Sequence, residues 1–250
     1  MESNAHFDIE TGPITWIRLK DKRQLNLLSI PLIEALQTAL EEISDRPDLK
    51  VLVLTGTGPK AFSAGADMSE LTQLKNPQAY VEVGQELLRT LEGFCVPVIA
   101  AVNGYALGAG FSLALACDLR VVCPDSKMGQ LAVRNGLIPP FGNLQRLIFA
   151  IGASRTRELT YTGRLLRGEE LVHWGLSHHC VPTAELESFT RKLAEEIAEA
   201  PGYAVRMVKQ IIDQTVEEGF AIGYARQEDA LAHCLMREDS RQIMNGFLKQ

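Results

Sequence analysis

Pro97-Val-Ile-Ala-Ala-Val-Asn-Gly-Tyr-Ala-Leu-Gly-Ala-Gly-Phe-Ser-Leu-Ala-Leu-Ala-Cys-Asp-Leu119 is the stretch on which the reading of this 250-residue chain turns. From Phe94 to Cys117 there is no charged residue, and an apolar run of that length crosses a bilayer when it is one helix. Here it is interrupted by Pro97, Asn103 and glycines at 104, 108 and 110. Each break frees backbone groups that lipid cannot satisfy. The spacing instead predicts a buried strand over Pro97 to Val102, a turn at Asn103-Gly104 and a buried helix from Gly110 to Leu119. No membrane span is expected.

The same grammar continues on both sides. Val51-Leu-Val-Leu54 upstream and Leu119 to Val122 downstream are apolar strands of the kind parallel sheets bury on both faces. Ser29 and Pro31 open a helix whose Leu32, Ile33, Leu36, Leu40 and Ile43 share one face, and another helix is expected from about Gln78 to Phe94. His6 to Glu10 and Ile14 to Leu19, joined by Thr11-Gly12-Pro13, read as a hairpin. Alternating apolar strands and helices imply an α/β fold with right-handed crossovers. Beyond Pro201 the pattern is helical and more charged, with Val205, Val208 and Ile212 on one face suited to a partner surface. The expected division is a core over residues 1–198 and a C-terminal helical lobe over 199–250.

Charge and cysteine usage narrow the function. A formal net charge of −6 argues against a nucleic-acid grip, which needs a clustered positive field. The longest basic cluster, Lys20, Lys22 and Arg23, is broken by Asp21 and suits one phosphate group better than a duplex. Five scattered cysteines without a C-x-x-C pair fit reduced thiols in a cytoplasmic protein. Met1 to Phe7 has no basic region followed by an apolar stretch, so no secretory signal is expected.

Two motifs fail on physical grounds. Gly56-Thr-Gly58-Pro-Lys-Ala61 matches the loose dinucleotide fingerprint, but the residues that follow read as loop, so no helix start is placed to meet a pyrophosphate. His173, His178, His179 and Cys180 suggest zinc, yet adjacent histidines on a strand face opposite ways. No metal is expected.

The specific signal is the pairing of Lys60-Ala-Phe-Ser-Ala-Gly-Ala-Asp-Met68 with Ile99-Ala-Ala-Val-Asn-Gly-Tyr-Ala-Leu-Gly-Ala-Gly110. Small residues let backbone approach a ligand, and a helix opening near Gly110 presents unpaired N–H groups and the positive end of its dipole. Two such donors aimed at one oxygen form an oxyanion hole, each worth about 3–4 kcal/mol in a transition state. Here the sequence resembles the crotonase (enoyl-CoA hydratase/isomerase) family, which carries K-A-F-x-A-G-A-D-[IL] and I-A-A-V-N-G-x-A-x-G-G-G in this order. Gln24-Leu-Asn-Leu-Leu-Ser29, Asn143-Leu-Gln-Arg-Leu147, Ile151-Gly152 and the segment from Thr162-Gly163 to Gly175-Leu176 extend the likeness over nearly the whole chain.

The resemblance implies a spiral of ββα units with a C-terminal helical oligomerisation lobe, forming a homotrimer or dimer of trimers. It implies an acyl-CoA thioester as substrate, with coenzyme A as part of that substrate and no separate cofactor. It assigns the oxyanion donors to the N–H groups of Ala66 and Ala109, although glycine is commoner at the second. It places Ala64, Gly65, Ala66, Asp67, Met68 and Gly108 along the coenzyme, with Arg23 and Leu25 along its phosphates and pantetheine. A plain surface role for Arg23 and Asp67 stays open.

The pattern then departs from the family. Where family hydratases carry a glutamate two residues after the third glycine, this chain has Ser112, and Ala132 stands at the glutamate of Q-P-E-[IV]. General acid–base groups contribute about 10²- to 10⁴-fold each. Ser112 has no useful basicity; it either orients a water or carbonyl, or is a buried hydroxyl bonded to a helix carbonyl. Arg134, Asn135, Tyr80, Glu82 and Glu86 are the substitute groups to examine. Expected functions are acyl-CoA chemistry other than standard hydration, such as decarboxylation or thioester hydrolysis, or a non-catalytic CoA-binding scaffold or regulator.

Overall fold

The computed structural model describes residues 2–21 and 23–247; Lys22 of the basic cluster lies outside the described residues. The chain divides into two compact units, Met1–Glu199 and Ala200–Gln250.

Two sheets organise the first unit. The larger runs in the order β1 (Glu2–Ser3), β2 (Phe7–Glu10), β3 (Ile14–Leu19), β4 (Val51–Gly56), β6 (Val98–Val102), β8 (Leu119–Val122) and β11 (His179–Cys180). It is antiparallel through the hairpin and parallel from β3 onward. The smaller sheet runs β10 (Leu165–Arg167), β9 (Lys127–Gly129), β7 (Tyr105–Leu107) and β5 (Ala61–Ser63). Consecutive strand pairs β4–β5, β6–β7 and β8–β9 each send one strand to each sheet. This is the spiral of ββα units.

Helices α1 (Ile30–Ser44), α2 (Met68–Leu71), α3 (Pro77–Glu92), α4 (Ala109–Ala116), α5 (Asn143–Thr162), α6 (Glu169–Trp174) and α7 (Leu186–Glu199) complete the unit. Ser29 caps α1 by accepting the Leu32 N–H, with Pro31 in its first turn. One face of the larger sheet joins α1, α3 and α4 in the main core, through Leu36, Leu54, Leu87 and Phe111. The other face, Trp16, Val53, Ile99 and Val121, is covered by Leu186, Phe189 and Ala194 of α7. All eight residues of α4 are buried, so it lacks a polar side.

Sequence and structure differ in the smaller sheet. Ala61–Ser63, expected as loop, is a strand, and so is Tyr105–Leu107 just after the Asn103-Gly104 turn. The central helix starts at Ala109 and ends at Ala116, earlier than the expected Leu119. Asp118 turns back there to accept the Val98 N–H at 2.7 Å, and Leu119 opens the next strand.

The second unit holds α8 (Gly202–Glu218), α9 (Phe220–Met236) and α10 (Glu238–Phe247). Helices α8 and α9 approach closely at Gly223, where an added Cβ would lie 2.2 Å from Thr215 Oγ1. Val208, Ile212 and Val216 form an exposed apolar row along α8. Among the described residues no helix is long and apolar enough to cross a membrane, and no group of side chains is arranged to hold a metal ion.

Candidate active site

Gly108 builds the site's centre. Its φ of 52° and ψ of −117° suit glycine alone, and this kink turns β7 directly into α4. The first helical bond runs from Ser112 N to Gly108 O, which leaves the Ala109 N–H without an intrahelical acceptor. The loop after β5 closes on this point. A Cβ on Gly65, whose φ is +100°, would lie 3.4 Å from Ala109 N and 2.5 Å from Leu107 O. A Cβ on Gly110 would lie 2.2 Å from Ser63 O. Only bare backbone fits this contact.

The loop is held from its other side by residues 25–28. Ala64 N donates to Leu25 O and Leu28 N donates to Gly65 O, both at 2.8 Å, in a parallel bridge between Leu28 and Ala66. This bridge uses the Gly65 carbonyl and holds Ala66 beside Leu28. Among the described residues neither Ala66 N nor Ala109 N donates a hydrogen bond.

The segment feeding the bridge is shaped by Asp21, whose carboxylate accepts from the N–H groups of Arg23, Leu25 and Leu27. Buried Asn26, with φ of 51°, donates to Ala61 O at 2.7 Å. Beside it Lys20, Asp21, Arg23, Leu27, Ser29 and Asp67 line a pocket of about 350 Å³. Asp67 caps α2 by accepting from Ser69 and Glu70. The Ser69 hydroxyl bond, foremost, and the nearby Arg23 charge hold its carboxyl below the usual range. Met68 is exposed beside it.

The opposite wall carries side chains. The Ser112 hydroxyl lies one turn beyond Ala109, fully buried, within 3.2 Å of Gly108 O and 3.0 Å of Pro140 O. Ala132 is buried at the start of the single-turn 3-10 helix Ala132–Asn135. Gln130 donates to Gly108 O at 3.3 Å. Phe141 is buried against Tyr80, with ring centroids 5.3 Å apart.

The substitute groups separate by position. Tyr80 is buried, donates to Leu28 O at 3.4 Å, and has its phenol pushed up by burial and by Glu70. Both effects favour the protonated phenol. Glu82 and Glu86 face solvent, as does Asn135. Arg134 is engaged with Thr162 O through two nitrogens. At the far end of α4, Arg120 is 7% exposed and donates to Leu176 O, Ala114 O and Cys117 O. The backbone N–H of Arg120 also donates to His178 Nδ1. Burial, with the Arg120 charge, pushes His178 down from 6.5 to about 4.

The family model described as enoyl-CoA hydratase/isomerase matches residues 10–250. The chain belongs to this family. It is 29% identical to the short-chain-enoyl-CoA hydratase of Clostridium acetobutylicum, over 100% of this chain and 97% of that protein. It is 32% identical to the crotonyl-CoA hydratase of Syntrophomonas wolfei, over 91% and 88%. The crystal structure of an enoyl-CoA hydratase from Bacillus anthracis superposes with a TM-score of 0.93 at 33% identity, covering 98% of this chain and 96% of that one. Family membership accounts for the ββα spiral and the helical C-terminal region.

Neither Gly84, on which the Phe141 ring sits, nor buried Asn143, whose side-chain atoms have no partner among the described residues, stood out in the sequence. Gly84 lies inside a regular helical pattern, and Asn143 was visible only as part of a family-like stretch.

Proposed function

We propose that this family member is an acyl-CoA enzyme that stabilises a thioester enolate through the N–H groups of Ala66 and Ala109, without the paired carboxylates of a standard hydratase. One observation carries the reading: on two segments in close backbone contact, the Ala66 and Ala109 N–H groups have no acceptor among the described residues, while Ser112 lies against carbonyls and Ala132 offers only a methyl group. An oxyanion hole polarises a thioester but cannot deprotonate water for addition at the β-carbon.

Chemistry that forms the enolate without a base suits this site. In decarboxylation the bond between Cα and the carboxylate breaks, and its electron pair becomes the enolate whose oxygen the two donors hold. Carbon dioxide leaves, and Cα later takes a proton from water. Thioester hydrolysis draws on the same donors. The pocket near Arg23 and Asp67 supports the placement of the coenzyme on that side.

Incubation with a panel of acyl- and carboxyacyl-CoA thioesters, read by product mass, tests this. Loss of carbon dioxide or release of CoA is expected. Tight binding without turnover of any ester favours the scaffold reading instead. Wild-type protein is expected to hydrate crotonyl-CoA negligibly, and Ser112→Glu with Ala132→Glu to raise that rate above either single change, because two carboxylates act on one water as a unit. The gain is modest, since burial favours a protonated glutamate and Pro140 adjoins position 112. Wild-type hydration at tens per second, an ordinary enzyme rate, would overturn the proposal.

The exposed row Val208, Ile212 and Val216 supports assembly as a homotrimer or dimer of trimers. A monomeric mass by light scattering at micromolar concentration contradicts it.

A further inference from the structure

Phe141 holds a φ of 57° while 3% exposed, a left-handed conformation that a bulky residue adopts only when its surroundings impose it. Arg146 of α5 imposes it here by donating to the Phe141 carbonyl while its other nitrogens pair with Glu92 of α3. The ring is thereby pressed onto Tyr80 and onto the bare backbone of Gly84, where a Cβ would come within 2.2 Å of Phe141 Cζ. Gly84 lies inside α3 and has no positive φ to justify glycine. Its missing side chain is the seat of the ring.

The ring pair joins both halves of the donor site. Tyr80 donates to the carbonyl of Leu28, the residue bridged to Ala66. Phe141 follows Pro140, whose carbonyl adjoins the hydroxyl of Ser112, one turn along the helix that begins at Ala109. The pair thus borders both segments that carry the two N–H groups.

We propose that Tyr80 and Phe141 close the acyl end of the site and restrict this protein to short acyl groups. The proposal rests on Ala66 and Ala109 being the carbonyl-binding donors. A methylene that finds apolar room gains roughly fourfold in affinity. Against a ring already seated on backbone, added methylenes gain nothing and must displace it.

The experiment is calorimetric titration of free CoA and of acetyl-, butyryl-, hexanoyl- and octanoyl-CoA into wild type, Phe141→Ala and Phe141→Leu, with circular dichroism on each. Wild type is expected to bind butyryl-CoA at least tenfold tighter than octanoyl-CoA. Phe141→Ala reverses this preference, and Phe141→Leu, which keeps more of the apolar volume, narrows it. Wild-type affinity that climbs steadily through octanoyl-CoA overturns the plug, even if neither variant folds. Affinity that ignores chain length in all folded proteins overturns it too, while leaving the thioester reading intact. If no thioester binds better than free CoA at any length, the thioester reading falls and takes the plug with it.

Discussion

On one side of the candidate site, the loop from Ser63 to Ala66 and the start of α4 offer only backbone, packed so closely that Gly65 and Gly110 have no room for a methyl group. On the other side, Ser112, Ala132, Phe141 and Tyr80 offer side chains. The first wall resists change because its donors belong to the chain itself: any residue but proline supplies an N–H, provided the geometry holds. The second wall can be rewritten by substitution, although Tyr80 and Ser112 also bond to backbone of the first.

The sharpest way to break this contrast is Ala109→Pro. Because Ala109 is the first helical residue, where proline is tolerated, the change removes the donor with little strain on the helix itself. Turnover of whichever thioester proves active is expected to fall about 10²- to 10³-fold. The check is kcat measured beside an unchanged far-UV circular dichroism spectrum; retained activity would remove Ala109 from the site.

Gly110→Ala probes the same wall through packing. Its Cβ meets the Ser63 carbonyl, so loop and helix must separate, at a cost of about 1–3 kcal/mol. A thermal midpoint lower by several degrees is expected. The counterpart on the second wall, Ser112→Ala, removes a hydroxyl whose one proton is offered to two neighbouring carbonyls. It is expected to cost about 1 kcal/mol by denaturant titration and to leave thioester affinity unchanged. A large loss of affinity would show that Ser112 touches substrate.

The smallest effect lies away from both walls, at His178. Its folded-state value of about 4 lies below the ordinary 6.5, so between these pH values the unfolded chain takes up a proton that the folded chain refuses. Stability therefore falls as pH drops from 6.5 and levels off near 4. His178→Gln is expected to flatten that part of the pH–stability curve slightly, because the side chain is only partly buried and solvent screens much of the effect. An unchanged slope removes His178 as a contributor.

Much of the fold was legible because the larger sheet speaks plainly. Val51 to Leu54 is apolar at every position, and Ser29 with Pro31 marks a helix start in two independent ways. The smaller sheet was not, because strands such as Ala61–Ser63 and Tyr105–Leu107 are too short to show a period. In the site, the small-residue segments announced close backbone approach. Of Phe141 the sequence shows only a bulky residue after Pro139 and Pro140. Its left-handed backbone and its seat on Gly84 arise from tertiary contact with α3 and from the grip of Arg146, which no local pattern encodes.

Arg120 gives α4 an electrical character that its length alone would not. Eight residues span about 12 Å, short enough for the two ends of an ordinary helix to offset one another at modest distance. Here a guanidinium bonded to the Ala114 and Cys117 carbonyls neutralises the negative end, and although burial pushes its pKa down, arginine stays charged at neutral pH. With the Asp118 carboxylate alongside, the guanidinium offsets the negative end without giving the helix a net charge, so the field at Ala109 is that of the open helix N-terminus. Its source is buried, so mobile ions screen it weakly. An anion held at the Ala109 N–H should keep its attraction at salt concentrations that abolish surface steering.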